Sequence, residues 1–281
     1  MQNCIYKKPY HWVHVKNLIR LRISRYYIPL ITTITFIKQL AKYEYNNFVV
    51  LDVGGGDGAF IHVLLKYLNT DIKKKMYLIN LDVDIRALKF AQRLLQKHDK
   101  KDFGHLDFIC ADAQNIPLRS KSINVITALE VIEHVKEDFR CLKQMISILK
   151  TPGFILITTP RFLGELRSFS HIREYRYKDL LRLLDKVSQG SSIRYHVFTY
   201  QIPLSYAKYY GENYILRMTH ILTKLMIVVF QRMTGTNILS RLLKKVILYI
   251  LKILHIINEL SLSTLLVSEP IGIRFLVLLN T

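Results

Sequence analysis

The fold of this chain is decided by the stretch Val49-Val50-Leu51-Asp52-Val53-Gly54-Gly55-Gly56-Asp57-Gly58. A short, valine-rich apolar run predicts a buried strand. The glycines after it let the backbone turn sharply and come close to a ligand. The helix that we predict from Gly58 to Leu68 then begins with free backbone N–H groups, which suit a polar or anionic ligand. The stretch therefore predicts a strand, a binding loop and a helix, in that order.

An acidic residue in this loop narrows the class of ligand. Dinucleotide-binding domains carry a similar glycine loop, so the glycines alone do not identify the ligand. Asp52 lies at the start of the loop. A carboxylate there would repel a pyrophosphate, but it can accept a hydrogen bond from the amino group of an amino-acid ligand. This placement favours S-adenosylmethionine over NAD.

Two further acids follow the next two predicted strands. Asp82 follows the strand predicted at Met76–Leu81, and Asp112 follows the strand predicted at Leu106–Cys110. An acid after the second strand is placed to bind ribose hydroxyls, and Asp112 is placed to accept from an adenine amino group. Each acid alone is also typical of turns and helix caps. Three acids at successive strand ends indicate one cofactor site.

The rest of the central region also alternates between strands and helices. Further strands are predicted at Ile123–Ala128, Phe154–Thr158, Ile193–Tyr200 and Ile271–Leu279, and further helices at Ile85–Gln96, Glu137–Leu149 and Lys178–Lys186. Strands rich in valine and isoleucine that are separated by helices predict a parallel sheet with both faces covered.

These features resemble the class I S-adenosylmethionine-dependent methyltransferases, particularly the branch that includes ubiquinone-biosynthesis methyltransferases. The matching positions within residues 48–200 are Asp52, Gly54, Gly56 and Gly58 in the glycine loop, Asp82 at the ribose, Asp112 and Ala113 at the adenine, and a turn at Leu149–Gly153. The resemblance implies an α/β, Rossmann-like, doubly wound sheet of about seven strands, the last of them antiparallel. It also implies S-adenosylmethionine as the cofactor.

Four segments are predicted along the chain. Residues 1–46 form an N-terminal helical segment, and residues 47–206 form the cofactor-binding domain. Residues 207–264 form a basic, apolar helical insertion, and residues 265–281 supply the closing strand of the sheet.

Candidate catalytic residues follow the fourth and fifth predicted strands. Glu130, Glu133 and His134 lie in the stretch Glu130-Val131-Ile132-Glu133-His134-Val135, and His171 follows the fifth strand. Spacings of three and four residues allow the first three to share one face of a helix. We predict Glu130, His134 and His171 as catalytic residues, with His134 as a general base near the transferred methyl group.

Two other interpretations of these four residues stay open. In one, Glu130, Glu133, His134 and His171 hold a divalent cation that orients an acceptor hydroxyl and lowers its pKa. This arrangement is similar to that of metal-dependent quinone and small-RNA O-methyltransferases. In the other, no metal binds, and the Glu-His pair caps the next helix and lines the pocket. The cations that follow the fifth strand, Arg161, Arg167, Arg173 and Arg176, bind an acidic group of the acceptor or form a solvated basic loop.

Charge and hydropathy point to the class of acceptor. The formal net charge is +20, which is typical of proteins with an anionic partner and also of proteins from a lysine-rich proteome. Residues 207–264 carry eight basic and two acidic residues among long apolar stretches. This pattern fits adsorption to an anionic membrane surface, a lid over a lipid-like acceptor, or an ordinary helical cap.

The leading prediction is a methyltransferase that acts on a small-molecule or lipid-linked acceptor, a glycan or another amphipathic molecule, at a membrane surface. One alternative is an RNA methyltransferase, but no RNA-binding module is recognisable in the sequence, so nucleic acid is disfavoured as a partner. The other alternative is a scaffold that binds the cofactor without catalysis. The sequence carries no signal for an oligomeric state.

The expected compartment is the cytoplasm, with peripheral attachment to the inner face of the membrane. Basic residues interrupt the N-terminal apolar stretches, so no signal peptide is predicted. No uncharged apolar run reaches the length of a bilayer span. Cys4, Cys110 and Cys141 are far apart and form no paired motif, which is typical of a reducing compartment.

Overall fold

The structure, a computed structural model, describes residues 26–43, 47–95, 104–162, 170–190, 192–201 and 273–280, and short pieces at 222, 246–247 and 249–250. Its helices are α1 (Tyr27–Tyr43), α2 (Ala59–Tyr67), α3 (Thr70–Lys74), α4 (Ile85–Leu95), α5 (Asp138–Ile148) and α6 (Tyr177–Ser188). Its strands are β1 (Phe48–Val53), β2 (Met76–Asp82), β3 (His105–Cys110), β4 (Ile123–Leu129), β5 (Leu149–Pro160), β6 (Arg194–Gln201) and β7 (Ile273–Asn280).

The strands form one seven-stranded sheet in the order β3-β2-β1-β4-β5-β7-β6. The pairs among β1 to β5 are parallel, whereas β7 runs antiparallel to both β5 and β6. The predicted doubly wound sheet with an antiparallel last strand is therefore confirmed. Because strand order reverses beside β1, the carboxyl ends of β1 and β4 border the crevice where open α/β sheets bind ligands.

Helices cover both faces of the sheet, and each face has its own apolar core. Leu51 and Val53 point to the face covered by α5 and α6, while Phe48 and Val50 point to the face covered by α1, α2 and α4. This alternation follows from the two-residue period of a strand. It explains why β1 is apolar along nearly its whole length, since a strand covered on both faces buries every side chain.

The predicted elements agree with the structure to within a few residues, with two differences. Thr70–Lys74 forms a short helix that was not predicted, and its N-cap is Asn69, whose side chain accepts from the N–H of Ile72. Leu149–Gly153, predicted as a turn, is part of β5. A tight bend remains there, because a Cβ added at Gly153 would lie 2.4 Å from the carbonyl oxygen of Lys150.

The predicted segment boundaries stay a prediction. Residues 1–25 and nearly all of 207–264 lie outside the described residues, although 246–247 and 249–250 are helical. Since β6 and β7 are neighbours in the sheet, residues 202–272 connect two adjacent antiparallel strands. Within the described ranges, no helix has the length and hydropathy needed to cross a membrane.

Candidate active site

The predicted cofactor residues meet at the carboxyl edge of the sheet. Asp52 is paired in register with Asn80 of β2 and with Thr127 of β4. Asp82 ends β2 and is paired with Cys110, the last residue of β3. Parallel strands therefore bring the three acids, which are far apart in sequence, to neighbouring positions on one edge.

The loop after β1 needs glycine at three positions. Gly54, Gly56 and Gly58 have φ angles of +67°, +51° and +73°, a region that other residues rarely adopt. A Cβ at Gly54 would lie 2.6 Å from a methyl group of Val131, and one at Gly58 would lie 2.8 Å from Leu95. At Gly56 the nearest atom would be a carboxylate oxygen of Asp82 at 3.7 Å, so this glycine borders open space beside an acid.

Asp52 is almost completely buried, at 3% exposure, and the described residues bond only one of its oxygens. The hydroxyl of Thr127 donates to Oδ1 at 2.6 Å, whereas Oδ2 accepts no hydrogen bond from the described residues. Burial raises the pKa of Asp52 to about 7, although the Thr127 bond lowers it and the nearby Asp82 adds to the rise. A buried acceptor of this kind requires a donor.

A second buried oxygen lies beside the first. Oδ1 of Asn80 also accepts nothing from the described residues. A Cβ added at Gly55 would come within 2.1 Å of that oxygen and within 2.6 Å of Oδ2 of Asp52, so the two oxygens flank one small region under the loop. Two acceptors without donors fit an ammonium group, which has only donors to offer.

Asp82 is held by the backbone on both sides. The N–H of Gly56 donates to Oδ2 and the N–H of Asp84 donates to Oδ1, each at 2.8 Å. Partial burial raises the pKa of Asp82, and these two bonds partly offset that rise. Each carboxylate oxygen keeps further acceptor capacity, as expected for a residue that binds ribose hydroxyls. The next residue, Val83, is 73% exposed.

Asp112 and Ala113 lie in the loop after β3. The Asp112 carboxylate is exposed and is bonded by Gln114, while Ala113 is buried in the core. The predicted roles in binding the cofactor at Asp52, Gly54, Gly56, Gly58, Asp82, Asp112 and Ala113 stay predictions, but the sheet does bring these residues together.

On the acceptor side, the segment 130–135 is a turn and not a helix. Glu130 has a φ of +60°, and its N–H donates to the carbonyl oxygen of Thr158. Glu130, Glu133 and His134 therefore do not share one face of a helix, which their spacing would have allowed. The hydroxyl of Thr158 on β5 donates to Oε1 of Glu130.

Three of the four candidate residues do form a cluster. Glu133, His134 and His171 each offer one ligand atom, and these atoms lie within 4.8 Å of one another. The two imidazole rings meet edge to face, with centroids 4.9 Å apart. Glu133 is fully buried, and its Oε2 accepts from the hydroxyl of Thr159.

Both imidazoles are oriented through Nδ1. Nδ1 of His134 lies 2.9 Å from the carbonyl oxygen of Ser170, which is only an acceptor, so this nitrogen carries the hydrogen. Nδ1 of His171 lies 2.7 Å from a carboxylate oxygen of Glu174. Such partners fix the tautomer and leave Nε2 as the basic nitrogen. The cluster therefore presents nitrogen lone pairs that suit either proton transfer or a divalent cation.

One interpretation of the basic loop expected Arg173 to bind an acidic group of the acceptor. In the structure, its guanidinium is used inside the protein instead. Its guanidinium donates to the carbonyl oxygens of Ile132, Val135 and Lys136. The N–H groups of Ile172 and Arg173 both donate to the carbonyl oxygen of Glu133. The positive charge thus holds the turn that bears Glu133 and His134.

We expect Arg173→Ala to lower the free energy of unfolding by about 2 kcal/mol, because three carbonyl groups lose a charged donor. Urea denaturation would measure this change. Arg182→Ala is the matched control, since the Arg182 side chain is 78% exposed and, within the described part of the chain, pairs with Asp179 alone. It should change stability by less than about 0.5 kcal/mol. Equal losses in both variants would contradict the role of Arg173.

Several residues of this site were not predicted from the sequence. Asn80 and Thr127 are polar residues inside largely apolar strands, and only the register shows that both face Asp52. Gln114 stands in a polar loop, where nothing distinguishes it from a solvated residue. A buried polar residue in a central strand was the one available signal, because such groups need partners.

Part of the chain is similar in sequence to known proteins. Residues 45–201 match a family model described as a methyltransferase domain. A stretch of 112 residues is 26% identical to malonyl-[acyl-carrier protein] O-methyltransferase of Marinomonas sp. (strain MWYL1), over 40% of this chain and 37% of that protein. A stretch of 119 residues is 31% identical to an uncharacterised protein of Methanocaldococcus jannaschii, over 42% of this chain and 44% of that protein. The chain spans less than half the length of these curated relatives.

Solved structures share the fold. The YcgJ protein from Bacillus subtilis has a TM-score of 0.50 and 14% identity, over 88% of this chain and 97% of that chain. The small RNA methyltransferase HEN1 has a TM-score of 0.51 and 17% identity, over 60% of this chain and 22% of that chain. At these identities the likeness is one of fold alone.

Proposed function

This chain belongs to the family of methyltransferase domains, whose model covers more than half of it, and on that premise we propose that the protein methylates an amphipathic acceptor, lipid-linked or glycan, at an anionic membrane surface. Family membership also confirms the predicted cofactor, S-adenosylmethionine. The observation that carries the proposed activity is the meeting of the acidic cofactor site and the histidine cluster at one edge of the sheet.

S-adenosylmethionine supplies a methyl group activated by its sulfonium, so the protein needs to position two reactants in line and needs no nucleophile of its own. Asp52 and Asn80 have the unpaired buried oxygens that fit the amino group. Asp82 and Asp112 are placed to hold the ribose and the adenine. Each acid thus has a separate part of the cofactor to bind.

His134 is proposed to act as the general base. With its Nδ1 hydrogen directed to the carbonyl oxygen of Ser170, Nε2 can take the acceptor's proton as the bond to the methyl group forms. His171 and Glu133 lie beside it and would stabilise the positive charge of the imidazolium. The proton then passes to solvent.

We expect His134→Gln to lower the rate of methyl transfer about a hundredfold while the affinity for S-adenosylmethionine stays within about twofold of the wild type. Turnover and calorimetric titration of the cofactor would measure the two effects. His196→Gln is the matched control, because His196 is exposed on β6 and stacks on Phe198. An unchanged rate in His134→Gln would contradict the assignment of His134 as the general base.

A bound cation at Glu133, His134 and His171 is the second mechanism that the cluster supports, since three ligand atoms of suitable types lie within 4.8 Å of one another. Imidazole and carboxylate together suit zinc, iron or manganese. Dialysis against a chelator separates the mechanisms. Turnover that survives dialysis supports the base, whereas turnover that is lost and then restored by a divalent cation supports the metal.

The proposed acceptor class rests on charge and exposed apolar surface. The chain carries a net charge of +20. Ile172, next to His171, is 50% exposed, and α1 exposes Ile28 and Ile31 at 37% and 42%. An excess of basic residues over the chain, together with exposed aliphatic side chains, favours adsorption to an anionic lipid surface. This would place the protein in the cytoplasm, peripheral on the inner face of the membrane.

The test uses S-adenosylmethionine with a tritiated methyl group. The purified protein is incubated with a membrane lipid and glycolipid extract in phosphatidylglycerol vesicles, with the same extract in phosphatidylcholine vesicles, and with total RNA. We expect label in the organic phase, with more label on the anionic vesicles. Label in RNA would contradict the proposed acceptor and would show that the protein methylates RNA. Cofactor binding without any transfer would favour a scaffold.

A further inference from the structure

We propose that Gln114 is a positioning residue, which holds the Asp112 carboxylate toward the adenine and ties that loop to the start of α5. The inference rests on the proposed function, because it takes Asp112 as the acceptor for the adenine amino group. It concerns a side chain that the cofactor-binding pattern itself does not include.

Gln114 bonds to Asp112 through three contacts. Its backbone N–H donates to Oδ1 at 2.8 Å. Its side-chain Nε2 lies 3.0 Å from Oδ1 and 3.0 Å from Oδ2. The carboxylate is therefore held at both oxygens by one neighbour, although Asp112 itself is exposed and would otherwise rotate freely.

In this arrangement, Oδ2 of Asp112 can accept more additional hydrogen bonds than Oδ1 can. Oδ1 receives two donors from Gln114, whereas Oδ2 receives one. A carboxylate oxygen has two lone pairs, so Oδ2 keeps a place for one more donor. An adenine 6-amino group supplies such a donor, and a carboxylate that is already oriented loses less entropy when it binds.

The other end of the side chain contacts a different element. Oε1 of Gln114 accepts from the backbone N–H of Glu137 at 2.7 Å. Glu137 is the N-cap of α5, and its own side chain makes no capping bond. Because a backbone N–H can only donate, this contact fixes which end of the amide is oxygen and directs Nε2 to Asp112. Glu137 follows His134 by three residues, so one side chain joins the cofactor loop to the acceptor-side turn.

The turn at Asp112 does not need this side chain to form. The N–H of Asn115 donates to the carbonyl oxygen of Asp112 at 2.9 Å, which closes the turn through the backbone. The side chain of Gln114 therefore adds orientation of the carboxylate and a link to α5. Loss of the side chain should weaken recognition of the adenine amino group in particular, and should leave the loop folded.

The test compares two ligands: S-adenosylhomocysteine and an analogue whose base is purine, without the 6-amino group. We expect wild-type protein to bind the first about tenfold more tightly. In Gln114→Met this preference should fall to about twofold, because affinity for S-adenosylhomocysteine drops while affinity for the purine analogue is kept. Gln92→Met is the matched control, since Gln92 is exposed on α4.

A second variant, Gln114→Glu, keeps an oxygen for the N–H of Glu137, but its side chain has no donor for Asp112, whose Oδ1 then keeps only the backbone N–H of residue 114 from this neighbour. It should lose the preference as Gln114→Met does, because a second carboxylate would stand where Nε2 lies 3.0 Å from both oxygens of Asp112 and would repel them. An equal loss of affinity for both ligands, or an unchanged preference in both variants, would overturn the positioning role. Wild-type protein that binds neither ligand would contradict the proposed function instead, and wild-type protein that binds both equally would contradict the role of Asp112.

Discussion

Asp52→Asn is expected to weaken binding of S-adenosylmethionine about a hundredfold, which corresponds to about 3 kcal/mol. The variant keeps the size of the side chain, and its Oδ1 can still accept from the Thr127 hydroxyl. It replaces the buried, unpaired Oδ2 with an amide nitrogen, which has donors only. An ammonium group then meets a donor where it needs an acceptor. Calorimetric titration would measure the loss.

The control for Asp52→Asn is Asp179→Asn, which removes the same charge from α6, where Asp179 pairs with the exposed Arg182. Its cofactor affinity should match that of the wild type. Equal affinities in Asp52→Asn and Asp179→Asn would show that the amino group is bound elsewhere.

The raised pKa of Asp52 predicts a pH dependence of binding. Because that pKa is about 7 in the folded, ligand-free protein, the carboxylate is mostly protonated below pH 7, and cofactor affinity should rise as the pH rises through 7. Thr127→Val should move this midpoint upward, since the Thr127 hydrogen bond lowers the pKa. A profile that is flat between pH 6 and pH 8 would contradict the role of the Asp52 charge.

Stability should change with pH in the opposite direction. Between pH 3.8, which is the ordinary pKa of an aspartate side chain, and about pH 7, the folded state keeps the proton of Asp52 that the unfolded chain has already released. The folded state then binds more protons, so the contribution of Asp52 to the free energy of unfolding falls as the pH rises through this window. In Asp52→Asn this contribution disappears. Urea denaturation of the two proteins at several pH values would show the difference.

Gly56→Ala is expected to weaken cofactor binding about thirtyfold, or about 2 kcal/mol. The φ of Gly56 is +51°, so alanine would cost about 1–2 kcal/mol of stability in any case. Its Cβ would lie 3.7 Å from Oδ2 of Asp82, which is an ordinary contact in the ligand-free protein. It would also stand beside the carboxylate that is placed to bind the ribose, so the methyl group competes with the cofactor.

Gly190→Ala is the matched control for Gly56→Ala. Gly190 has a φ of +70°, and a Cβ there would meet nothing within 4 Å. Both variants therefore carry a similar backbone cost, which thermal denaturation would measure, but only Gly56→Ala should lose affinity for the cofactor. Similar affinities in the two variants would mean that Gly56 serves the loop conformation alone.

The acceptor-side turn shows why some expectations failed. The spacing of Glu130, Glu133 and His134 allowed one face of a helix, because a spacing reports local sequence alone. In the structure, the backbone of Ile172 and Arg173 and the guanidinium of Arg173 bond to carbonyl oxygens of this segment. A helix would use those carbonyl oxygens for its own hydrogen bonds. Contacts from a part of the chain about 40 residues away therefore override the local pattern.

The amino-acid order alone was sufficient to predict the strands, the parallel sheet and the acids at its carboxyl edge. Those features follow from local patterns, because a strand that is covered on both faces must be apolar and a binding loop must contain glycine. The residues that contact these acids could be identified only from the tertiary structure. Asn80 and Thr127 reach Asp52 through strand register, and His171 reaches Glu133 and His134 through chain packing. These contacts depend on distances across the fold, which no spacing along the chain records.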